Sequence, residues 1–367
     1  MEILKETALT EKHRDRKALM APFGGWSMPI HYEEGILAEH RWCREKAALF
    51  DICHMGELLY NGDFSAEGGL EDIFTFSIAS IPEGRSRYGF LLNENGGIID
   101  DLIVFRLEKE KAMIVVNAAN ADNDFAVIRD RLKSGQAAQF SDISAATGKI
   151  DIQGPLSRDV MSDLFGPEVA SIPYFRFQNM ETPDLRAIIS RTGYTGELGY
   201  EIFLPAEKTP RLWDQLLADP RVKPAGLGAR DLLRLEVGYS LHGNDIDDTV
   251  TPLEAGLSAF VDFGKEFVGK EALLQQKAEG INQGKTAFRV ESRRSPRHGY
   301  EIWKDGRNIG VVTSGCFSPM LGCGIGLGLA GIEGCESGAK LVIRHEAVSM
   351  EATVCELPFY KNGSVRR

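Results

Sequence analysis

The sequence predicts an α+β protein that ends in a separate all-β domain. Up to about Gly280, short apolar strands alternate irregularly with helices of medium length. From about Lys285 the helices stop, and short β-rich pieces (TAFRVES, GYEIW, NIGVVTSG, KLVIRH, SMEATVCELPFY) are separated by glycine and proline turns. The length of 367 residues allows two or three domains. Hydrophobic residues at 43% and charged residues at 26% exclude disorder as the main state. A formal charge of −11 argues against nucleic-acid binding, because such a surface repels phosphates. Small-molecule enzymes and docking proteins stay open.

The elements follow in order. Apolar groups at helical spacing in EGILAEHRWCREKAALF predict a helix over residues 34–50. A strand is expected at Glu57 to Tyr60, then a helical segment in SAEGGLEDIFTF. RYGFLLNENGGIIDDLIVFRL reads as a β-hairpin, with two apolar runs around Asn-Glu-Asn-Gly-Gly. AMIVVN is a strand and DNDFAVIRDRLKS an amphipathic helix. Strands follow in KIDIQGP and LRAIISRTGYTGELGYEIFLP, and helices in TPRLWDQLLAD and ARDLLRLEVG. GKEFVGKEALLQQKAEG gives a turn and a helix. The domain boundary falls between Gly280 and Lys285.

No apolar run approaches the roughly 20 residues of a membrane span. The N-terminal MEILKETALTEKHRDRK has no apolar signal core, so the expected compartment is the cytoplasm. The cysteines (Cys43, Cys53, Cys316, Cys323, Cys335, Cys355) form no CxxC pair and no zinc spacing; mostly buried thiols are expected, and no metal. GINQGKT is one residue short of a phosphate loop and follows a polar helix, so it reads as a linker. Gly326, Gly328 and Gly331 satisfy GxGxxG without a following helix and read as turns between packed strands. Cys53 and His54 are neighbours on a strand, pointing opposite ways, and read as packing.

Three centres have chemical content. In IIDDLIVF two carboxylates interrupt an apolar strand, and Asp100 and Asp101 must face opposite sides. A carboxylate turned inward is costly unless paired, hydrogen-bonded or used; an exposed pair at a hairpin edge is the alternative. In SRTGYTGELGYEIFLP, Tyr194 suits an aromatic wall and Glu201 can grip a planar N–C–N edge through two parallel hydrogen bonds; an ordinary glycine-rich hairpin is the alternative. In GLGARDLLRLEVG, Arg230 sits in the first helical turn, where the helix dipole opposes a cation. That placement points to an anionic ligand or a buried carboxylate partner.

Together these segments resemble the aminomethyltransferase (T-protein) family of the glycine cleavage system. GGWSMPIHY, FDICHMGEL, ENGGIIDDLIVF, VVNAAN, IQGP, SRTGYTGELGYE, PAGLGARDLLRLE, FVGKEAL, TSGCFSP and LPFY stand in family order across essentially the whole chain. The resemblance implies a three-lobed fold around a central folate channel, with two discontinuous α+β lobes and a C-terminal β-barrel. The lobes would be residues 1–52 with 145–242, residues 53–144 with 243–282, and residues 283–367. It implies a reaction in which an aminomethyl group on the lipoyl arm of an H-protein yields ammonia and methylene-tetrahydrofolate. Tetrahydrofolate is then the co-substrate, H-protein a transient partner, and neither nucleic acid nor membrane is involved.

Residue by residue, the family's key aspartate falls on Asp101. Glu201 matches the carboxylate on the pterin's amino-pyrimidine edge, and Tyr88, Asn117 and Tyr194 match pocket-lining positions. Arg230 matches an arginine near the active site, ordering Glu201 or the incoming substrate. Arg367 and His242 fall toward the substrate entrance. Departures are Cys53 for the commoner serine, His242 where an aromatic is usual, Met320 for threonine in FSPTLG, and the glycine-rich GIGLGLA. The alternative reading is a tetrahydrofolate-dependent demethylase taking methyl from sulfur, nitrogen or oxygen. A non-catalytic folate-binding protein assisting iron–sulfur assembly would need a KGCYxGQE-type segment, and KEFVGKEAL lacks its cysteine.

Overall fold

In the computed structural model, which describes residues 3–182, 184–333 and 335–366, two β-sheets face one another and a closed barrel follows them in sequence. The first sheet has six strands in the order Phe177–Thr182, Leu185–Ser190, Gly199–Pro205, Thr147–Gln153, Ala47–Asp51 and Val222–Pro224. Only the last pair is parallel. Its pleat sends alternate residues to opposite faces. Ile150, Ile152, Tyr200 and Ile202 pack with Val160 and Met161 of helix Ser157–Phe165 and with Leu212 and Trp213 of helix Thr209–Leu217. Lys149, Asp151, Glu201 and Phe203 belong to the opposite face.

The second sheet is antiparallel throughout, in the order Arg85–Leu92, Ile98–Glu108, Lys111–Val116, Gly56–Asn61 and Phe140–Asp142. Leu102, Val104, Ile114 and Val116 pack with Ile128 of helix Ala121–Arg131. On the other face, Ile103, Phe105, Met113 and Val115 meet Phe177, Ile188 and Phe203 of the first sheet. The sheets thus meet over an apolar patch, and the polar residues that share those faces, Asp101 and Glu57 against Lys149, Asp151 and Glu201, are forced into the same interlayer space.

The hairpin expected over residues 87–107 is present, with Leu91 opposite Asp100 and Leu92 opposite Ile98. Two helix expectations need correction. The helix expected over 34–50 spans only Ile36–Glu45, and Ala47–Asp51 is a strand buried at every position. A strand covered on both faces shows no alternation, so its apolar run is indistinguishable from a helix continuing. In SAEGGLEDIFTF only Leu70–Asp72 is helical, as a short 3-10 segment.

The barrel closes six antiparallel strands in the order Gln283–Val290, Cys323–Gly331, Arg307–Ser318, Glu301–Lys304, Lys340–His345 and Val348–Val354. Its interior is filled by Phe288, Val290, Ile302, Val312, Leu341, Ile343 and Met350. The glycines of GxGxxG are not turns but lie within strand Cys323–Gly331. A Cβ on Gly326 would stand 2.4 Å from the Phe288 ring, and one on Gly328 would stand 2.4 Å from Ile302 and 2.7 Å from the Val311 carbonyl oxygen. Four of the six cysteines (Cys316, Cys323, Cys335, Cys355) are only part-buried, and the burial expected for them holds fully for Cys43 and Cys53 alone.

Helix Leu227–Glu236 ties the barrel to the rest. Leu235 packs with Ala287, Ile325, Leu327 and Phe359. Arg234 pairs with buried Asp245 at 2.6 Å and donates to Ser314 Oγ at 2.7 Å. Glu236 accepts from Ser318 Oγ at 2.5 Å and pairs with Arg44 at 2.7 Å.

Gly328→Ala is expected to destabilise the protein by about 1–3 kcal/mol through overpacking against a backbone oxygen that cannot rotate away. Urea unfolding measures it, and an unchanged midpoint with an unchanged slope would show that the strand has room to spare.

Candidate active site

Asp100 and Asp101 leave strand Ile98–Glu108 on opposite faces, as the alternation requires. Asp100 is sealed, 0% exposed, whereas Asp101 keeps partial access to the interlayer space. Neutral donors hold both. Tyr88, four residues before the end of strand Arg85–Leu92, donates its hydroxyl to Asp101 Oδ2 at 2.9 Å. Asn117, just past strand Lys111–Val116, bridges the pair: its Nδ2 lies 2.9 Å from Asp101 Oδ1 and 2.9 Å from Asp100 Oδ1, and its backbone N–H donates to Asp100 Oδ2 at 2.9 Å. Burial, then the Asp100 charge, pushes the Asp101 carboxyl up to about 6, with His242, Tyr88 and Asn117 opposing.

His242 stands behind this pair. Its Nε2 is 3.2 Å from the Ile98 carbonyl oxygen and its Nδ1 is 3.0 Å from Asn120 Nδ2. These contacts fit the tautomer with hydrogen on Nε2, since Asn120 donates to Nδ1. Asn120 also donates to Asp100 Oδ1 at 2.7 Å. Both ring nitrogens are therefore engaged, Nε2 with the Ile98 carbonyl and Nδ1 with Asn120. Arg367 lies outside the described residues.

Tyr194 forms the next part of the wall. Its ring stacks on Tyr239 at 5.8 Å, its hydroxyl donates to the Ser240 carbonyl, and Arg230 covers it at 5.3 Å. Lys285, from GINQGKT, turns its ammonium onto the same segment, donating to the Gly238 carbonyl at 2.8 Å and Ser240 Oγ at 3.0 Å. The charge of Asp101 acts on both Tyr88 and Tyr194, which places all three in one electrostatic neighbourhood.

Arg230 does not order Glu201 directly, contrary to one of the expectations for it. It pairs with fully buried Asp151, which answers the first-turn arginine with a carboxylate partner. Glu201 is the cross-strand neighbour of Asp151 and is held instead by Thr192, whose hydroxyl donates to Oε2 at 2.5 Å. Its Oε1 faces the Lys149 ammonium at 3.7 Å, beyond hydrogen-bond length, so it retains capacity to accept from a ligand N–H. Burial pushes Asp151 up to about 6, Arg230 opposing and Glu201 adding. Glu57, 0% exposed and without a donor for either oxygen, is pushed up to about 8 by burial, Lys149 opposing. His54 is held down to about 4 by burial and is therefore neutral.

The structure thus joins Tyr88, Asp101, Asn117, Tyr194, Arg230 and, through Asp151, Glu201. Sequence reasoning missed Asn120, Lys149, Asp151 and Thr192. Asn120 stood in the quoted VVNAAN, and KIDIQ shows Lys149, Asp151 and Gln153 alternating with isoleucines, a polar face that announces an unusual environment.

Comparison with known proteins decides the family. The GCVT N-terminal domain matches residues 9–265 and the glycine cleavage T-protein C-terminal barrel domain matches residues 286–361. The chain belongs to the glycine cleavage T-protein family. It is 41% identical to an aminomethyltransferase of Thermotoga sp. (strain RQ2), covering 99% of this chain and 100% of that one. It is 41% identical to an aminomethyltransferase of Halothermothrix orenii, over 97% of this chain and all of that one. The solved aminomethyltransferase T of the Bartonella henselae glycine cleavage system superposes with a TM-score of 0.92 at 34% identity over 99% of both chains. The α+β architecture with a C-terminal barrel is that of this T-protein structure.

Because the Tyr88 hydroxyl stabilises the ionised form of Asp101, Tyr88→Phe is expected to move the Asp101 titration midpoint upward from about 6. Carboxyl NMR of the variant reads this directly; a midpoint that stays or falls contradicts the hydrogen bond.

Proposed function

We propose that this aminomethyltransferase takes the aminomethyl group from the lipoyl arm of an H-protein, releases ammonia, and passes the carbon to tetrahydrofolate to give methylene-tetrahydrofolate. Family membership and full-length relatives of that activity carry the reaction class. They do not favour the demethylase alternative. The observation that supports the chemistry is Asp101: a half-sheltered carboxylate, held by Tyr88 and Asn117, whose proton affinity lies near neutrality.

Each residue has a role that its surroundings allow. Above about pH 6 Asp101 is ionised and can accept a proton from a substrate nitrogen or orient it for attack on the methylene carbon. Tyr88 and Asn117 fix the carboxylate's direction without neutralising it. Glu201 offers Oε1, and a lone pair on Oε2, to the N–C–N edge of the pterin. Tyr194, backed by Arg230, supplies a flat wall for that ring. Lys149 faces Glu201 and Arg230 pairs with Asp151, so each of these buried carboxylates has a cation beside it. We take the lobes to be residues 1–52 with 145–242, residues 53–144 with 243–282, and the barrel from residue 283, a division supported by the strand membership of the two sheets. We place the reaction in the cytoplasm; no helix among the described residues is long and apolar enough to cross a membrane.

Asp101→Asn is expected to fold normally and to lower methylene transfer by about two or more orders of magnitude, the usual scale for a proton-handling group. Ammonia release from aminomethyl-loaded H-protein, with and without tetrahydrofolate, measures it. Turnover equal to the parent protein removes Asp101 from the chemistry, and turnover only with methylated amines or thioethers replaces the proposal by the demethylase reading. Glu201→Ala is expected to weaken tetrahydrofolate binding by about 1–3 kcal/mol. Calorimetry giving equal affinity takes Glu201 out of the folate site.

A further inference from the structure

Behind Asp100 lies a third carboxyl group that the reaction above does not use. Asp124, in the first turn of helix Ala121–Arg131, is 0% exposed, and neither of its oxygens receives a hydrogen bond. The charged groups acting on it are Asp100 first and Asp101 next, both from strand Ile98–Glu108; Asn120 begins its own helix and bonds to Asp100. Asp100, in contrast, accepts from the Asn117 backbone N–H, Asn117 Nδ2 and Asn120 Nδ2. Two carboxyl groups in contact away from water cannot both ionise. The group with three donors keeps the charge, and the group with none keeps the proton.

Resting on Asp101 as the catalytic carboxylate, we propose that Asp124 is a positioning residue: a neutral carboxylic acid that donates its proton to Asp100 and so fixes a single negative charge behind Asp101. Burial and the Asp100 charge favour this form, holding the Asp124 proton up to about 10. The consequence reaches the reacting side through Asn117, whose one amide nitrogen contacts both Asp100 and Asp101. If Asp100 lost its fourth donor, it would compete harder for that amide and draw it from Asp101. If Asp124 were charged, Asp101 would face two anions on its own side of the cleft, with the hydrogen bonds from Tyr88 and Asn117 to hold it.

Infrared difference spectra of the full-length protein against Asp124→Asn test the proton. The parent protein is expected to show the carbonyl stretch of a protonated carboxyl at pH 8, absent from the variant; no such band overturns the proposal. The pH profile of kcat/KM tests the charge. In Asp124→Asn, which keeps a donor and adds no charge change, the acid limb is expected to stay in place, and a limb displaced to lower pH shows that Asp124 was an anion. Asp124→Leu, which has no donor, is expected to lower kcat about tenfold with the tetrahydrofolate KM nearly constant, and Asp124→Asn to recover most of that loss. A full kcat in Asp124→Leu overturns the positioning role. The infrared band does not depend on what Asp101 does, so its presence alongside a fully active Asp101→Asn would fault the Asp101 reading and leave the Asp124 proton standing.

Discussion

Everything at the candidate site depends on burying one more negative charge than the surrounding strands would tolerate. Asp101 cannot be neutralised by an arginine without losing its basicity, and it cannot be left bare in an interlayer space. The fold resolves this with neutral donors. Tyr88 reaches it along the neighbouring strand, and Asn117 reaches it from the end of the next one. Each donor lowers the cost of the charge without cancelling it, while burial and the Asp100 charge hold the carboxyl up to about 6. On the facing sheet the opposite solution is used: Asp151 and Glu201 are answered by Arg230 and Lys149. One side of the space holds its carboxylate with neutral donors, and the other sets cations beside its carboxylates.

That division follows from strand alternation. The same pleat that buries Ile150 and Ile152 under helices delivers Lys149 and Asp151 to the interlayer space. The same pleat that buries Leu102 and Val104 delivers Asp101 and Ile103. The apolar patch of Phe105, Phe177 and Phe203 then sets the distance between the layers. Polar chemistry and packing are consecutive residues of single strands, which leaves little freedom to change one without the other.

Much of this was legible in the sequence, and the parts that were not share a cause. The hairpin, the helix 121–131 and the β-rich tail declare themselves through local pattern. The opposite faces of Asp100 and Asp101 follow from period two alone. Strand Ala47–Asp51 was hidden because it is covered on both faces and shows no alternation. The glycines at 326 and 328 looked like turns because nothing local reveals that Phe288 and Ile302 press against them from other strands. Asp151 as the partner of Arg230, and Asp124 as the neighbour of Asp100, are meetings between distant segments; residue type predicts that such a group needs a partner but not which one.

Helix Leu227–Glu236 has a further consequence. On ten residues it presents Arg230 to Asp151 in the interlayer space, and Arg234, Leu235 and Glu236 to the barrel. The helix works as a shared axle. Any rotation that reseats the barrel turns Arg230 with it, so the barrel is not an interchangeable module. A barrel transplanted from a relative would have to bring hydroxyls equivalent to Ser314 and Ser318 in the same places, or the pocket would change shape although none of its own residues had been altered.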